Sequence, residues 1–255
     1  MSDEVFQRYS AYYDLLYRDK DYAAEAEYIG RTLRAAAPKA SRVLEFGSGT
    51  GRHGRLLAAQ GFHVHGVERS AAMVAAAAKE KATGPGSFDC QQGDIATVNA
   101  GGPCDAVISL FHVVSYVNSN DLVRATFGNA ARHLSPGGVF FFDVWHGPAV
   151  LSDRPAVRVK RVEDKTTKLI RVAEPTLDVQ TSRVTVHYTM LAQSKADGAM
   201  TTFTEEHQMR YFFPTEIALF AELAGFDVER SEEFLTARAP SDRTWGVAYL
   251  LRKRA

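Results

Sequence analysis

A glycine-rich turn stands between a short apolar run, Val43 to Phe46, and a helical segment, and it reads Gly47-Ser48-Gly49-Thr50-Gly51. Such a turn lets the backbone approach a ligand closely and points helix N-terminal amides at it. Glu68 and Asp94 follow at the ends of the next two strand-like runs. A carboxylate at the first position can accept from both ribose hydroxyls of an adenosine, and one at the second from the adenine amino group. These residues together predict a site for a nucleoside-containing ligand.

The spacing of the glycines differs from the dinucleotide fingerprint G-x-G-x-x-G, because Arg52 stands three residues after Gly49. Its side chain would crowd the close packing of helix on strand that the third glycine of the fingerprint permits. Taken alone, the glycines leave two alternatives open. They could form a tight turn without a ligand, or they could belong to an NAD-dependent enzyme.

Three side chains after the fourth and fifth strand-like runs could take a proton from a bound acceptor: His112, Tyr116 and His146. His112 and Tyr116 could instead be hydrogen-bonded core residues, and His146 could instead lie in a surface loop. His207 and Arg210 lie in a later segment of alternating polar and β-forming residues. We expect them on a solvated strand face, with a contact to an acceptor phosphate as the alternative.

The composition excludes several classes of protein. The chain has 255 residues, with 30 Lys and Arg against 30 Asp and Glu, so the basic surplus typical of nucleic-acid binders is missing. The apolar stretch 106–117 is too short to span a bilayer, and the first residues lack the features of a secretory signal. Two cysteines and scattered acidic residues predict no metal site and a reduced, cytoplasmic setting.

The order of the elements predicts how the candidate residues are positioned. Strand-like and helical segments alternate up to about residue 145, which is typical of a doubly wound α/β fold with a parallel sheet. Residues 1–37 are expected to form an N-terminal helical cap, and residues 151–212 an insertion of three or four antiparallel strands. A helix after Pro214 and two further strands complete the single domain that we expect over residues 1–255.

Four motifs taken together resemble the class I S-adenosylmethionine-dependent methyltransferases over roughly residues 40–145. They are E-x-G-x-G-x-G from Glu45, the acidic Glu68, Gly93-Asp94-Ile95, and Leu134-Ser-Pro-Gly-Gly138 before the fifth strand. The resemblance implies a Rossmann-like sheet and S-adenosylmethionine as the cofactor. It also implies a set of cofactor-binding residues: Gly47, Ser48, Gly49 and Gly51 under the methionine part, Glu68 on the ribose, Asp94 and Ile95 on the adenine, Leu110 near the methionine amine, and Arg69 and Met73 beside them.

A narrower resemblance involves the phrase Tyr13-Asp-Leu-Leu-Tyr17 and the antiparallel segment around Val186-His-Tyr188 and Glu206-His207. Both are similar to bacterial N,N-dimethyltransferases of nucleotide-linked amino sugars. The family implies that Tyr13 and Tyr22 contact the cofactor, that Tyr116 faces the acceptor, and that the antiparallel strands help to form a homodimer. The chain departs from the Pro-Trp-Trp pattern of the family after the fifth strand.

The expected function is methyl transfer to a small molecule, at an amino or hydroxyl group of a sugar that a nucleotide carries. The alternatives are another small metabolite, a protein or RNA acceptor, and a catalytically silent cofactor-binding subunit of a dimer. Residues 151–171 contain seven basic and three acidic residues beside the predicted acceptor site. Arg154 and Arg158 could receive a diphosphate, and a solvated hairpin is the alternative.

Overall fold

The computed structural model describes residues 8–255, so the first seven residues of the expected N-terminal cap lie outside the described part. Along the chain the elements are α1 (Ser10–Leu16), α2 (Tyr22–Ala36), β1 (Arg42–Phe46), α3 (Arg52–Ala59), β2 (His63–Glu68), α4 (Ala71–Ala77), β3 (Ser87–Gln92), β4 (Cys104–Ser109), α5 (Asn120–His133), β5 (Leu134–His146), α6 (Gly147–Ser152), β6 (Arg158–Glu163), β7 (Thr167–Asp178), β8 (Arg183–Ser194), β9 (Met200–Phe212), α7 (Pro214–Leu223), β10 (Phe226–Glu233) and β11 (Gly246–Lys253).

The first five strands form a parallel sheet in the order β3-β2-β1-β4-β5, which confirms the doubly wound α/β prediction. Alternate residues of β5 face opposite layers, since side chains in a strand alternate between the two faces. Phe140 and Phe142 pack against Phe127 of α5 on one face, whereas Phe141 packs against Tyr28 of α2 on the other. The very apolar sequence of β5 is explained by this burial on both faces.

The antiparallel half of the sheet consists of β6 to β9, in agreement with the expected insertion of three or four strands. β9 joins the parallel half through a short parallel pairing of Trp145 with Tyr211 and His146 with Phe212. β11 pairs with both β5 and β10 in antiparallel orientation. The sheet is therefore continuous from β3 to β6, and β9 lies beside the carboxyl end of β5.

Two local features add detail to the sequence predictions. The N-terminal segment contains two helices, because α1 ends at Leu16 and α2 starts only at Tyr22, where Asp21 caps it by accepting from the Ala24 N–H (2.9 Å). The motif segment 135–138, placed before the fifth strand by the sequence, lies within β5 as an irregularity of the β4–β5 register, with Gly137 at φ +75°. No helix within residues 8–255 is long and apolar enough to cross a membrane.

Candidate active site

A cavity of about 460 Å³ opens at the carboxyl end of the parallel strands, where open α/β sheets bind ligands. Its volume falls in the range of roughly 300–1,000 Å³ that is usual for small-molecule sites. The turn after β1, the end of β2 and the loop after β4 form its floor, α1 contributes tyrosines, and strands β6 to β9 form one wall. The cavity thus joins the parallel sheet, the N-terminal cap and the antiparallel strands in one site.

The glycine turn after β1 is bent so tightly that its three glycines have φ values of +73°, +56° and +78°. A Cβ at Gly47 would lie 2.5 Å from Val113, and one at Gly51 would lie 2.4 Å from the Phe88 ring. A Cβ at Gly49 would meet no atom within 4 Å, because this residue borders the cavity. Gly51 does not line the cavity and acts as the N-cap of α3. Among the three glycines, Gly49 therefore leaves open space for a ligand.

Glu68 holds a fixed carboxylate at the end of β2, beside the glycine turn. Its side chain accepts hydrogen bonds from the Gly49 N–H (3.0 Å) and the Ser70 N–H (2.8 Å). The residue is 8% exposed, and burial raises the pKa of the carboxyl above its usual range. Each carboxylate oxygen can accept further hydrogen bonds. The carboxylate is thus oriented to receive a pair of vicinal hydroxyls such as those of a ribose.

The remaining residues of the predicted cofactor set line the same cavity: Ser48, Arg69, Met73, Asp94, Ile95 and Leu110. Met73 and Leu110 are each 2% exposed and supply apolar surface. Asp94 Oδ1 accepts from the Ala96 N–H (2.8 Å), which fixes the orientation of its side chain. Apolar walls, a buried diol acceptor and the open space at Gly49 fit an adenosine linked to an amino acid, as S-adenosylmethionine is.

α1 lies over the cavity and is tied down at both sides. Asp14 Oδ1 accepts from the Thr50 hydroxyl (3.2 Å) and lies 3.1 Å from Arg52 Nε, both next to the glycine turn. On the other side, the backbone N–H of Tyr9 donates to Glu205 Oε1 of β9 (2.8 Å). Tyr13 and Tyr22, which were predicted to contact the cofactor, line the cavity.

Several lining residues were missed by the sequence reasoning: Tyr9, Tyr17, Phe111, Trp145, Tyr188 and Met209. Tyr9 and Tyr17 could have been predicted from the sequence, because together with Tyr13 they recur every four residues. This spacing places side chains on one face of a helix. The others come from loops and from strands distant in sequence, and no local pattern marks them.

Glu45, the first residue of the E-x-G-x-G-x-G motif, is a buried carboxyl group beneath the glycine turn. It is 1% exposed, and among the described residues its Oε2 has no hydrogen-bond partner. Burial and then the nearby charge of Glu68 raise its pKa from the usual 4.5 to about 8. The folded chain therefore holds this proton at neutral pH, whereas the unfolded chain releases it.

We expect the variant Glu45→Gln to be more stable than the parent protein at pH 8.5 but not at pH 5. Because folding raises the pKa of Glu45 to about 8, the parent loses stability as the pH rises from 4.5 towards 8, by up to roughly 1.4 kcal/mol per pH unit. A neutral amide does not titrate and removes this loss. Urea unfolding at both pH values measures the difference, with Glu27→Gln, an exposed residue of α2, as the control. An equal effect of Glu45→Gln at both pH values would contradict the raised pKa.

His112 is held in the loop after β4 by a buried carboxylate. Its Nδ1 lies 2.6 Å from Asp143 Oδ2, and its backbone N–H donates to the same oxygen (3.1 Å). Phe111 and His112 have φ values of +62° and +61°, a left-handed conformation that is unfavourable for residues other than glycine. Asp143, which is 1% exposed, thus holds the strained backbone of His112 at the cavity by accepting from its N–H and lies beside its ring.

Tyr116 is the first member of a chain of hydrogen bonds along the cavity wall. Its hydroxyl lies 2.9 Å from His207 Nδ1, and His207 Nε2 lies 3.3 Å from Glu205 Oε2. The solvated strand face predicted for His207 and Arg210 was wrong, since they are 2% and 7% exposed. The face of β9 that carries His207 packs against the loop after β4 and against α1. Arg210 lies on the opposite face, where it donates to Asn120 Oδ1 (2.8 Å) and forms an ion pair with Glu216 of α7.

The third candidate for proton transfer, His146, does not line the cavity. It is 4% exposed at the end of β5, where its backbone N–H donates to the Trp245 carbonyl (2.9 Å). Burial lowers the pKa of its imidazole. The surface-loop alternative was therefore wrong as well, and the structure places His146 in the core between β5 and the segment before β11.

Four arginines line the cavity, and two of them, Arg158 and Arg171, come from the antiparallel strands. Arg154, the other arginine considered from the sequence, does not line it, although both Arg154 and Arg158 are exposed. Arg171 Nη1 donates to the hydroxyls of Tyr9 (2.9 Å) and Tyr17 (3.2 Å), and its buried Nε has no hydrogen-bond partner among residues 8–255. A buried donor of this kind is suited to an anionic ligand. The described residues contain no group of three or more side chains that could hold a metal ion.

Comparison with known proteins gives a family and close structural relatives. A family model described as a methyltransferase domain matches residues 43–138. The dTDP-3-amino-3,4,6-trideoxy-alpha-D-glucopyranose N,N-dimethyltransferase of Streptomyces venezuelae is 30% identical over 223 residues, which cover 86% of this chain and 90% of the relative. The dTDP-4-amino-2,3,4,6-tetradeoxy-D-glucose N,N-dimethyltransferase of Saccharopolyspora spinosa is 30% identical over 224 residues, covering 85% of this chain and 84% of the relative.

A solved structure of an amino pentose methyltransferase from Micromonospora echinaspora, with bound S-adenosylmethionine, superposes with a TM-score of 0.75. It is 26% identical to this chain, and the match covers 99% of each chain. The similarity therefore includes the N-terminal cap and the antiparallel strands as well as the parallel sheet.

Proposed function

Because the chain belongs to the family of S-adenosylmethionine-dependent methyltransferases, we propose that it methylates the amino group of a nucleotide-linked sugar. The observation that carries this proposal is that one cavity contains both the Glu68 carboxylate with its glycine turn and, on the antiparallel strands, Arg158 and Arg171. The Nε of Arg171 is buried without a hydrogen-bond partner among residues 8–255, and an anionic acceptor would supply one. The relatives from Streptomyces and Saccharopolyspora, whose names give dTDP-linked amino sugars, support the same substrate class.

In the proposed mechanism, the sulfonium of S-adenosylmethionine supplies the methyl group. Glu68 accepts from the ribose hydroxyls, Asp94 and Ile95 lie at the adenine, and Gly49 leaves space for the methionine part. The tyrosines of the cap cover this part of the cavity and exclude water from it. Cofactor binding in a fixed orientation is what an in-line displacement needs, since alignment of the reacting atoms supplies much of the rate.

The acceptor amine must present its lone pair to the methyl group at about 3 Å. We propose that His112 and Tyr116, which both line the cavity, orient the amine by hydrogen bonding. Asp143 keeps His112 in place through the contact of 2.6 Å with its Nδ1. A neutral amine needs no base during the displacement itself, so these side chains act first by orientation.

The proposed activity is tested by incubating the protein with S-adenosylmethionine and matched pairs of nucleoside diphosphate sugars, one carrying an amino group and one a hydroxyl group at the same carbon. We expect S-adenosylhomocysteine and methylated product from amino sugars only. Methylation of the hydroxy sugars alone would contradict the choice of an amine. Absence of any product, with S-adenosylmethionine bound, would favour the catalytically silent subunit.

We also propose that the chain acts as a single catalytic domain, in the cytoplasm and as a homodimer. The sheet is continuous from β3 to β6, which supports the single domain, and the free thiols Cys90 and Cys104 support a reducing compartment. Among the described residues β6 pairs only with β7, and Val157 and Val159 at this edge are 63% and 47% exposed. An edge strand with apolar side chains is suited to pairing with a second copy. A monomer mass in sedimentation equilibrium at micromolar concentration would contradict the dimer.

A further inference from the structure

We propose that Tyr116, His207 and Glu205 form a proton relay that deprotonates the acceptor amine and so permits a second methyl transfer to the same nitrogen. This inference rests on the proposed function, because it assumes an amine acceptor. In it, Tyr116 is the residue that touches the acceptor, whereas His207 and Glu205 act through Tyr116. The relay would determine how many methyl groups one acceptor receives.

The geometry of the relay is that of a connected chain leading away from the cavity. Tyr116 and His207 line the cavity, and Glu205 lies behind them on β9. The distances are 2.9 Å from the Tyr116 hydroxyl to His207 Nδ1 and 3.3 Å from His207 Nε2 to Glu205 Oε2. The side chains of His207 and Glu205 are 2% and 7% exposed. Protons can therefore pass along the chain without direct contact with bulk water.

We assign the proton of His207 to Nε2, because an ionised Glu205 can only accept a hydrogen bond. In this tautomer Nδ1 accepts from the Tyr116 hydroxyl. Burial, and then the nearby Tyr188, raise the pKa of Tyr116 well above its usual range, which excludes a standing phenolate. Tyr116 can therefore take a proton from an amine only while it passes its own proton to His207. The imidazolium that forms faces the carboxylate of Glu205.

The chemistry of repeated N-methylation requires such a step. In each transfer the S–CH₃ bond breaks, its electron pair stays on sulfur, and the amine lone pair forms the N–CH₃ bond. The product is an ammonium ion that has no lone pair, so a second transfer needs the loss of one N–H proton. That proton goes to the Tyr116 oxygen, and the Tyr116 proton goes to His207 Nδ1. The relay resets when His207 returns its proton to the Tyr116 oxygen and Tyr116 passes its own proton to water that enters the cavity after the product has left. An arriving alkyl ammonium needs the same deprotonation.

The other charged and titratable groups around His207 are compatible with this role. The rings of Tyr188 and Tyr9 pack against it at centroid distances of 4.8 Å and 5.3 Å, and the Arg171 guanidinium lies 5.1 Å from the Tyr188 ring. Glu205 Oε1 also accepts from the backbone N–H groups of Tyr9 (2.8 Å) and Arg8 (3.1 Å). Because these donors belong to the cap segment, the relay is fully assembled when α1 covers the cavity.

The test uses three variants and two controls on the same pair of strands. Glu205→Gln removes the charge but keeps hydrogen-bonding groups, His207→Asn places an amide where Nδ1 was, and Tyr116→Phe removes the link to the acceptor. The controls are Glu206→Gln and His187→Asn, because Glu206 and His187 form the equivalent pair on the solvent face (3.3 Å, with 48% and 52% exposure). The measurement is the ratio of monomethyl to dimethyl product at equal total turnover, as a function of pH. This ratio does not depend on the fraction of protein that is folded.

We expect all three relay variants to accumulate monomethyl product at neutral pH, with total turnover lowered roughly 100-fold, within the range usual for general bases. High pH should partly restore dimethylation in Glu205→Gln and His207→Asn, because more of the intermediate is then deprotonated without help. Calorimetric affinity for S-adenosylmethionine should be unchanged. If Glu205→Gln and His207→Asn both gave the product ratio and the total turnover of the parent protein, the relay would be overturned while the proposed function stayed intact. If the parent protein methylated no amino sugar at all, the proposed function would fail and the relay with it.

Discussion

The variant Glu68→Gln should bind S-adenosylmethionine about 100-fold more weakly than the parent protein. Glu68 is the buried acceptor that we place at the ribose, and its orientation is fixed by the Gly49 and Ser70 N–H groups. A hydrogen bond to a charged group contributes roughly 1.5–3 kcal/mol, and 1.4 kcal/mol corresponds to a factor of ten in affinity. The amide keeps one acceptor oxygen but turns an NH₂ group towards donors, so it loses much of the pair of bonds. Calorimetric titration measures the change.

Two controls separate this effect from unfolding. Glu27→Gln makes the same change on the exposed face of α2 and should leave the affinity for S-adenosylmethionine unaltered. The thermal midpoint of Glu68→Gln without ligand shows whether the glycine turn is still formed, since Gly49 loses one of its hydrogen-bond partners in the variant. An unchanged dissociation constant in a folded Glu68→Gln protein would contradict the role of this carboxylate at the ribose.

The cofactor part of the site was accessible from the sequence because it depends on local relations. Gly47 to Gly51, Glu68 and Asp94 each follow a strand directly, and the carboxyl ends of parallel strands lie at one edge of a sheet. Once the alternation of strands and helices is recognised, their proximity follows without knowledge of side-chain packing. Among the predicted cofactor residues, Gly51 does not line the cavity, and a Cβ at this position would meet the Phe88 ring.

The acceptor part could not be predicted in the same way, because its contacts join distant segments. Tyr116 and His207 are 91 positions apart, and Tyr9 and Glu205 are 196 positions apart. The sequence of β9 does not tell whether the face that carries Glu205 and His207 meets water or another element. Here α1 and the loop after β4 cover this face, so its polar residues satisfy one another in a buried network.

The contact between His112 and Asp143 is another example of a relation between distant segments. The Asp143 carboxylate accepts from the backbone N–H of His112. Because His112 follows β4 whereas Asp143 lies within β5, the contact is visible only once β4 and β5 are known to be neighbours.

The second large effect is expected at the arginines of the cavity. Arg158→Glu should raise the KM for a nucleoside diphosphate sugar by roughly 10- to 100-fold, which corresponds to the loss of one or two charge-assisted hydrogen bonds. Arg171→Lys should act in the same direction, because lysine keeps the charge but lacks the fork that bonds Tyr9 and Tyr17 while leaving Nε for a ligand. Arg154→Glu makes the same charge reversal in the same segment at an exposed residue that does not line the cavity, and serves as the matched control.

The choice of acceptor makes this prediction specific to the diphosphate. Each protein is assayed with a nucleoside diphosphate amino sugar and with the corresponding free amino sugar, at saturating S-adenosylmethionine. If the arginines hold the diphosphate, Arg158→Glu lowers kcat/KM only for the nucleotide-linked acceptor, since the free sugar makes no contact for them to lose. If Arg171 acts on the cap through Tyr9 and Tyr17 instead, Arg171→Lys lowers kcat/KM equally for both acceptors. An equal loss for the two acceptors, or an equal effect of Arg154→Glu, would therefore remove the nucleotide diphosphate from the proposed substrate.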